Sequence, residues 1–276
     1  MDQIRMNQDL MKIKQKEIGF LQHFQQRGYE LIDLGIVESF QWTELSQDDL
    51  HLMQYRYKWE RNGTLFALRS DWTNAIVRYR KKYHLHADKI AYVGSVYTVD
   101  SERKQLGVEV FSANVKEQFE VLKDMIYFLQ QELAITLSVG VISHNMLLKK
   151  LLNKDEHADE LVQQYIRDRN YDALGSRLGK DHLLVRLMKE APADQGDYLK
   201  KHFPELTDHL KEIEQWQNQL DSLGVEFVYS DLLAVPMQSY YKGIFIQVYE
   251  KNTVNPIVSG GQYTSSSKAF GMAITI

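Results

Sequence analysis

Three short stretches of this chain carry residue types that can hold a small polar ligand. The first is "RKQLGVEV", residues 103–110. Read as a strand, it puts alternate side chains on one face. Gln105, Gly107 and Glu109 then lie on one side, and Leu106, Val108 and Val110 on the other. The apolar side belongs to a core. The polar side offers an amide and a carboxylate with a glycine between them, where no side chain blocks approach. That suits a small ligand with N–H donors. On this stretch alone, a solvent-facing polar strand edge is the plainer reading. The second stretch is "LFALRSDWT", residues 65–73. Asp71 and Thr73 stand at the start of a predicted helix, where acceptors cap backbone N–H groups. Capping alone accounts for them. An acid and a hydroxyl side by side also suit an ammonium group. Arg69 pairs with an internal carboxylate or touches a ligand.

The third is "YYKG", residues 240–243, where Tyr241, Gly243 and Phe245 share one strand face. Tyrosine offers a flat wall and one hydroxyl, which fits an aromatic ligand. The alternative is half-buried packing. "SGGQYT", residues 259–264, reads as a glycine-rich turn but does not match a phosphate loop. His84 and His86 are two apart with no acidic partner nearby, and no histidine spacing marks a metal site. No Gly-x-Ser-x-Gly nucleophile elbow occurs.

These residues need elements to position them. Leu10, Ile13, Ile18, Leu21 and Phe24 follow helical spacing, which predicts a helix over 8–27 ended by Gly28. "YELIDLGIV" reads as a strand. "MQYRYKWERNGTLFALRSD" reads as two strands around an Asn62-Gly63 turn, the strongest hairpin signal in the chain. "WTNAIVRYRKKY" is a helix capped by Ser70 or Asp71. "KIAYVGSVYTV" and "QLGVEVFSA" form the next strand pair. Asn114 caps a helix with Glu117 in the capping-box position and a buried stripe of Phe119, Leu122, Ile126, Leu129 and Leu133. After the strand "AITLSVGVIS", charged helices follow one another over residues 144–222. Strands return in "VEFVYSDL", "GIFIQVYE" and "AFGMAITI". The expected class is α/β in the α+β sense: a largely antiparallel sheet flanked by helices. Residues 1–143 and 223–276 would form one core domain, and 144–222 a helical insertion.

Composition narrows the partners. The chain has 276 residues and a net charge of −4, so it lacks the basic surplus of a protein that grips a phosphate backbone. It has no cysteine, which excludes disulfides and thiolate chemistry. No apolar run reaches the length of a membrane span, and the N-terminus lacks a secretory core. The expectation is a cytoplasmic protein without nucleic-acid or membrane partners and without metal or cofactor.

Taken in order, four segments resemble the catalytic core of histidyl-tRNA synthetase, and more nearly its shortened relatives, the regulatory subunits of ATP phosphoribosyltransferase. "LFALRSDWTNAIVR" is similar to the family's LALRPE-x-T segment. "YVGSVY" with "KQLGVEVFS" resembles Y-x-G-x-x-F-R followed by Q-x-G-x-E-x-x-G. "YYKGIFIQVYE" looks like YYTGxxFE, and "PIVSGGQY" like xxxGGRYD. The segments span most of residues 20–276, with a poorly matching middle. The resemblance implies a class II aminoacyl-tRNA synthetase-like fold and a pocket for free histidine. It assigns Asp71 and Thr73 to the ammonium group, Gln105 and Glu109 to the pocket floor, and Tyr240, Tyr241 and Tyr263 to the imidazole end. It also implies a two-fold dimer through the first helix and "YELIDLGIV".

The departures point away from catalysis. The motif-2 arginine that holds the ATP α-phosphate falls on Thr98, and the loop after it is shortened to "VDSERK". The arginine before the paired tyrosines falls on Pro236, the motif-1 proline near Gly35, and Gln262 replaces an arginine. Asp71 replaces a glutamate. The final motif and its ATP-binding arginine are not in the sequence, and no anticodon-binding domain follows. Adenylate formation needs cations on the polyphosphate in the transition state. The resemblance therefore implies a subunit with no catalytic residues of its own. It would join the short-form ATP phosphoribosyltransferase catalytic subunit in a hetero-oligomer and relay histidine feedback on the first step of histidine biosynthesis. Arg69 or Arg103 would serve the histidine carboxylate. Two alternatives stand beside it: a degenerate amino-acid-activating enzyme on the same fold, and a structural binding subunit that no longer takes histidine.

Overall fold

The computed structural model describes residues 7–41, 53–192, 194–235, 240–265 and 267–276. The chain divides into two compact units, Met1–Ile135 with Ser265–Ile276, and Thr136–Thr264.

The first unit opens with helix α1 (Asn7–Gln25), which ends where Gly28 takes a left-handed φ of 81°. The sequence predicts a strand across "YELIDLGIV". Only β1 (Glu30–Leu31) forms there, followed after a break by β2 (Val37–Phe40). Within the break the Leu34 carbonyl accepts from the Arg69 guanidinium and the Ile36 carbonyl from the Arg69 backbone N–H. Strands β3 (Lys58–Arg61) and β4 (Thr64–Leu68) form the predicted hairpin. Asn62 and Gly63 both take positive φ, 52° and 75°, as a two-residue primed turn requires. With β2 they make a three-stranded sheet in the order β2-β4-β3.

Helix α2 (Trp72–Tyr83) is capped by Asp71, whose carboxylate accepts from the Asn74 N–H at 2.7 Å. Strands β5 (Lys89–Thr98) and β6 (Ser101–Val110) are antiparallel and close through Val99 and Asp100 alone. The shortened loop is thus a tight hairpin turn. Strand β11 (Lys268–Thr275) pairs antiparallel with β6, and β1 pairs parallel with β5, giving the order β1-β5-β6-β11. Helix α3 (Val115–Tyr127) packs on β6 and β11 and ends in a π turn, Phe128–Glu132. Asn114 caps it. Glu117 takes the Asn114 side-chain amide rather than its backbone N–H, so the reciprocal arm of the box is not made. The buried stripe runs through Val121, Leu122, Met125, Ile126 and Leu129, leaving Phe119 and Leu133 half-buried at its margins.

The second unit contains β7 (Leu137–His144), β8 (Phe227–Ser230), β9 (Tyr241–Glu250) and β10 (Val258–Thr264) in the order β10-β9-β7-β8. Among its described residues only the β7–β8 pairing is parallel. Between β7 and β8 lie helices α4 (Asn145–Leu151), α5 (Lys154–Ala158), α6 (Glu160–Arg167), α7 (Tyr171–Leu178), α8 (Leu183–Leu187), α9 (Gln195–His202) and α10 (Thr207–Ser222). Helix α10 packs on β7 and β8, its Leu220 set against Gly140. "SGGQYT" is not a turn: it lies in β10, hydrogen-bonded to β9. Its glycines serve close approach. A Cβ on Gly261 would stand 2.5 Å from the Ile244 carbonyl and 2.8 Å from the Tyr241 ring.

Candidate functional site

In the first unit, β5, β6 and β11 lay out one sheet face. Register places Tyr92 opposite Gly107, Gly94 opposite Gln105, and Glu109 between Ile90 and Gly271. Each glycine on this face makes room for one large side chain. A Cβ on Gly94 would strike Trp72, one on Gly107 would strike the Tyr92 ring, and one on Gly271 would strike the Glu109 carboxylate. The open floor expected at Gly107 is therefore filled by Tyr92. A strip of sheet without Cβ atoms is apolar space, and the nearest aromatic ring takes it.

Three side chains stack along this strip, and a fourth, Glu109, lies beyond them. The Arg69 guanidinium sits 3.6 Å from the Trp72 ring centroid, and Trp72 stacks on Tyr92 with centroids 4.6 Å apart. Beyond it, the Tyr92 hydroxyl points at Glu109 Oε1 from 3.5 Å. Arg69 is buried and gives N–H bonds to the carbonyls of Ser95 and Leu34, so this guanidinium is committed to the fold and does not stand ready for a ligand carboxylate. Burial also lowers its pKa. Arg103 lies exposed on β6.

Glu109 is fully buried, and its Oε1 accepts the Thr73 hydroxyl proton at 2.6 Å. That bond settles how Thr73 is turned. Its proton goes to the carboxylate, so its lone pairs face elsewhere and remain acceptors. Asp71, half-buried, spends one oxygen on the helix cap. Gln105 is half-buried between Gly94 and Thr275. The structure brings Thr73 to Glu109 and adds Tyr92, which the sequence reading missed. On the opposite face Leu106, Val108 and Val110 are buried, as the alternation predicts. At the end of this hairpin Thr98 Oγ1 bonds Ser101 Oγ at 2.9 Å.

The second unit holds the tyrosines. Tyr241 and Tyr263 are directly opposite across β9 and β10, both buried. Tyr240 lies 4.7 Å from the Tyr241 ring and edge-on to Tyr263 at 6.0 Å. The Tyr241 carbonyl accepts from the Asn145 side-chain amide at the start of α4. Three aromatic rings, from β9, β10 and the residue just before β9, thus meet at one end of the sheet. Pro236 falls outside the described residues.

One cluster has no sequence signal. His144, His209 and Glu212 bring three groups that could hold a metal ion to within 4.8 Å of one another. They come from the end of β7 and from α10, 65 residues apart in the chain, so no local spacing marks them. Hydrogen bonding already uses two of them, His144 and Glu212. His144 Nδ1 accepts from the Met146 N–H, which leaves the ring proton on Nε2, 3.4 Å from Glu212. Glu212 Oε1 accepts from Gln262 Nε2 at 3.0 Å. A metal on His144 Nε2 would displace that proton and cost the Met146 cap. The bond from His144, joined by that from Gln262, outweighs burial and lowers the Glu212 pKa; burial lowers that of His209.

Comparison with known proteins speaks to family and fold. The family model described as histidyl-tRNA synthetase matches residues 6–275. The ATP phosphoribosyltransferase regulatory subunit of Staphylococcus epidermidis is 31% identical over 271 residues, covering 98% of this chain and 100% of that one. The Staphylococcus aureus regulatory subunit is 31% identical over 270 residues, covering 98% and 99%. Among solved structures, an ATP phosphoribosyltransferase regulatory subunit/histidyl-tRNA synthetase from Bacillus halodurans matches with a TM-score of 0.80 at 21% identity, over 99% of this chain and 79% of that one. A chain of the ATP phosphoribosyl transferase (HisG:HisZ) complex from Thermotoga maritima matches with a TM-score of 0.70 at 20% identity, over 95% and 96%. These two share the fold, a class II tRNA-synthetase-like mixed sheet flanked by helices. From the family match and the identity along nearly its whole length, the chain belongs to the histidyl-tRNA synthetase-like family of ATP phosphoribosyltransferase regulatory subunits.

Proposed function

We propose that this chain is a regulatory subunit that binds free histidine and passes its presence to a short-form ATP phosphoribosyltransferase catalytic subunit, which carries out the first step of histidine biosynthesis. The observation that carries this reading is an asymmetry. The acceptors survive as an organised group, with Thr73 turned by Glu109, while the ATP end is reduced to a two-residue turn at Thr98. In the first unit, Asp71 and Thr73 are the residues we assign to the ammonium group and Gln105 and Glu109 those for the ligand's N–H donors; in the second unit, the resemblance assigns Tyr240, Tyr241 and Tyr263 to an imidazole. The Glu109 carboxylate takes an imidazole N–H, a charge-assisted bond. Allostery requires two sites and a contact that differs between states; this chain supplies the histidine site and the partner supplies the chemistry.

On this reading the chain alone catalyses nothing, because a transferring phosphoryl or adenylyl group finds no cation where the family places one. It works in the cytoplasm beside its biosynthetic partner, as a homodimer within the hetero-oligomer. Leu10, Met11 and Ile18 on α1, with Leu31, Ile36 and Val37 after it, are exposed apolar side chains along the segment the family uses for two-fold pairing. We assign residues 144–222 to a helical insertion in that core. Long insertions in surface connections cost little stability.

Two measurements test the reading together. Isothermal titration should show saturable histidine binding to the chain. ATP–pyrophosphate exchange with histidine should stay at background. Exchange above background would make the chain an activating enzyme, and absent binding would reduce it to a structural subunit.

A further inference from the structure

The pairing of β9 with β10 is irregular at one point, and the irregularity sits between the two buried tyrosines. Gly261 pairs with Phe245 and Tyr263 with Tyr241. On β10 one residue, Gln262, separates those pairs; on β9 three residues do, Lys242 to Ile244. Such bulges re-aim side chains and leave ladder groups to be satisfied otherwise. Here the Ile244 N–H gives its bond to the Gln262 side-chain Oε1 at 3.0 Å instead of to a strand carbonyl. The Gln262 side chain lies across Gly243, where a Cβ would collide with it. Its other end is held too: Nε2 donates to Glu212 Oε1 on α10 at 3.0 Å, and the second oxygen of Glu212 faces His144 Nε2 at 3.4 Å.

The chain of contacts therefore runs from α10 into the bulge. We propose that Gln262 and Glu212 are positioning residues that lock the irregular β9–β10 register and so hold Tyr241 and Tyr263 opposite each other across the two strands for ligand binding. The proposal rests on the reading above for the identity of the ligand. It gives the helix α10, in the segment between β7 and β8, a role in the response. An amide side chain suits the task because one end must accept from a backbone N–H while the other donates to a carboxylate. Arginine or lysine in this position would have no acceptor for Ile244. The same geometry engages both ring nitrogens of His144, Nδ1 with the Met146 N–H and Nε2 with Glu212.

The test measures amide hydrogen exchange at Ile244 and histidine affinity on the full chain. Gln262→Ala and Glu212→Ala should each speed Ile244 exchange at least tenfold and weaken histidine binding about five- to tenfold. The double variant should do little more than either alone, because both break one lock. Glu212→Gln keeps an acceptor for Gln262 and should retain affinity close to the parent. Leu210→Ala, a cavity on the same helix, should lower the melting temperature without the affinity loss. If Ile244 exchange is unchanged in both alanine variants, the lock is refuted whatever histidine does. If exchange rises but affinity stays, or if the losses simply add, the positioning role is refuted. If exchange rises and the parent chain binds no histidine, the register lock stands and the histidine reading falls.

Discussion

Thr73 donates its hydroxyl proton to Glu109 across 2.6 Å, from the first turn of α2 to the middle of β6. The two residues are 36 positions apart and neither orientation is free once the bond is made. The carboxylate fixes the rotor of the hydroxyl, and the hydroxyl lone pairs become the acceptor offered to a cation. Glu109→Gln keeps size and removes the charge. Histidine binding should weaken by roughly 1.5–3 kcal/mol, the range for a hydrogen bond to a charged group. Thr73→Val should lose a similar amount, and the double variant less than the sum. Titration calorimetry on the three variants checks this; additive losses would show that the pair does not act as one unit.

Leu106 lies on the other face of the same strand and is buried. Leu106→Ala should destabilise the fold by about 2–5 kcal/mol through a cavity, while leaving histidine affinity per folded molecule unchanged. Denaturant unfolding together with calorimetry separates the two effects. If the affinity falls and the stability holds, the faces of β6 have been assigned in reverse.

Gly271 gives a sharper steric test. Its missing Cβ is the space the Glu109 carboxylate occupies. Gly271→Ala should cost roughly 1–3 kcal/mol as an overpacked core position and should reduce histidine binding with it. Gly19, in the middle of α1 with nothing within 4 Å of a built Cβ, is the control. Gly19→Ala should stabilise by about 0.5–1 kcal/mol, since alanine loses less chain entropy in a helix. Thermal unfolding that moves both variants the same way would contradict the steric assignment.

Arg69 has two carbonyl partners and an aromatic face. Arg69→Met should strand the Leu34 and Ser95 carbonyls and cost about 3 kcal/mol, at roughly 1–3 kcal/mol for each buried group left unsatisfied. Urea midpoints measure it. A near-neutral effect would mean that these acceptors find other partners.

Acid should destabilise the chain. Burial lowers the pKa of His23 and of His209 below the ordinary 6.5. Both stay neutral in the fold while the unfolded chain takes up protons, so their contribution is complete above about pH 6.5 and is lost as the pH falls below it. Glu212, held low mainly by its bond from His144, adds a loss at lower pH as it protonates. Asp124, raised by burial, works in the opposite sense near its own range. The melting temperature should fall between pH 7 and pH 5.5, and His23→Gln should flatten part of that slope. A melting temperature that is level or rising on acidification would show that the histidines do not govern this window.

Much of this arrangement was legible in the sequence, for identifiable reasons. The Asn62-Gly63 hairpin is set by two adjacent residues that tolerate positive φ, and the Asp71 cap by a carboxylate one residue before a helix. Both are local, so local chemistry announces them. The two faces of "QLGVEV" followed from a period of two. The resemblance assigned Thr73 to the ammonium group and Glu109 to the pocket floor, but the bond between them, 36 residues apart, had no signal in the sequence. What escaped was decided by long-range partners. "YELIDLGIV" reads locally as one strand, yet it forms two short ones, and the Leu34 carbonyl between them goes to the Arg69 guanidinium. "SGGQYT" looks like a turn, yet its glycines serve the approach of β9 and the Tyr241 ring. Gly271 was a usable clue, since a glycine within a strand pattern marks close approach. The Glu212–Gln262 contact joins a helix to a strand 50 residues away and left no trace in spacing.

The most direct test of the account is co-purification of this chain with a short-form ATP phosphoribosyltransferase catalytic subunit, followed by assay of phosphoribosyl transfer with and without histidine. The account predicts that the two chains purify as one complex, that activity depends on both, that histidine lowers it, and that Glu109→Gln blunts the histidine effect while sparing basal activity. A complex whose activity histidine leaves unmoved, or a chain that exchanges pyrophosphate with ATP on its own when given histidine, would contradict it.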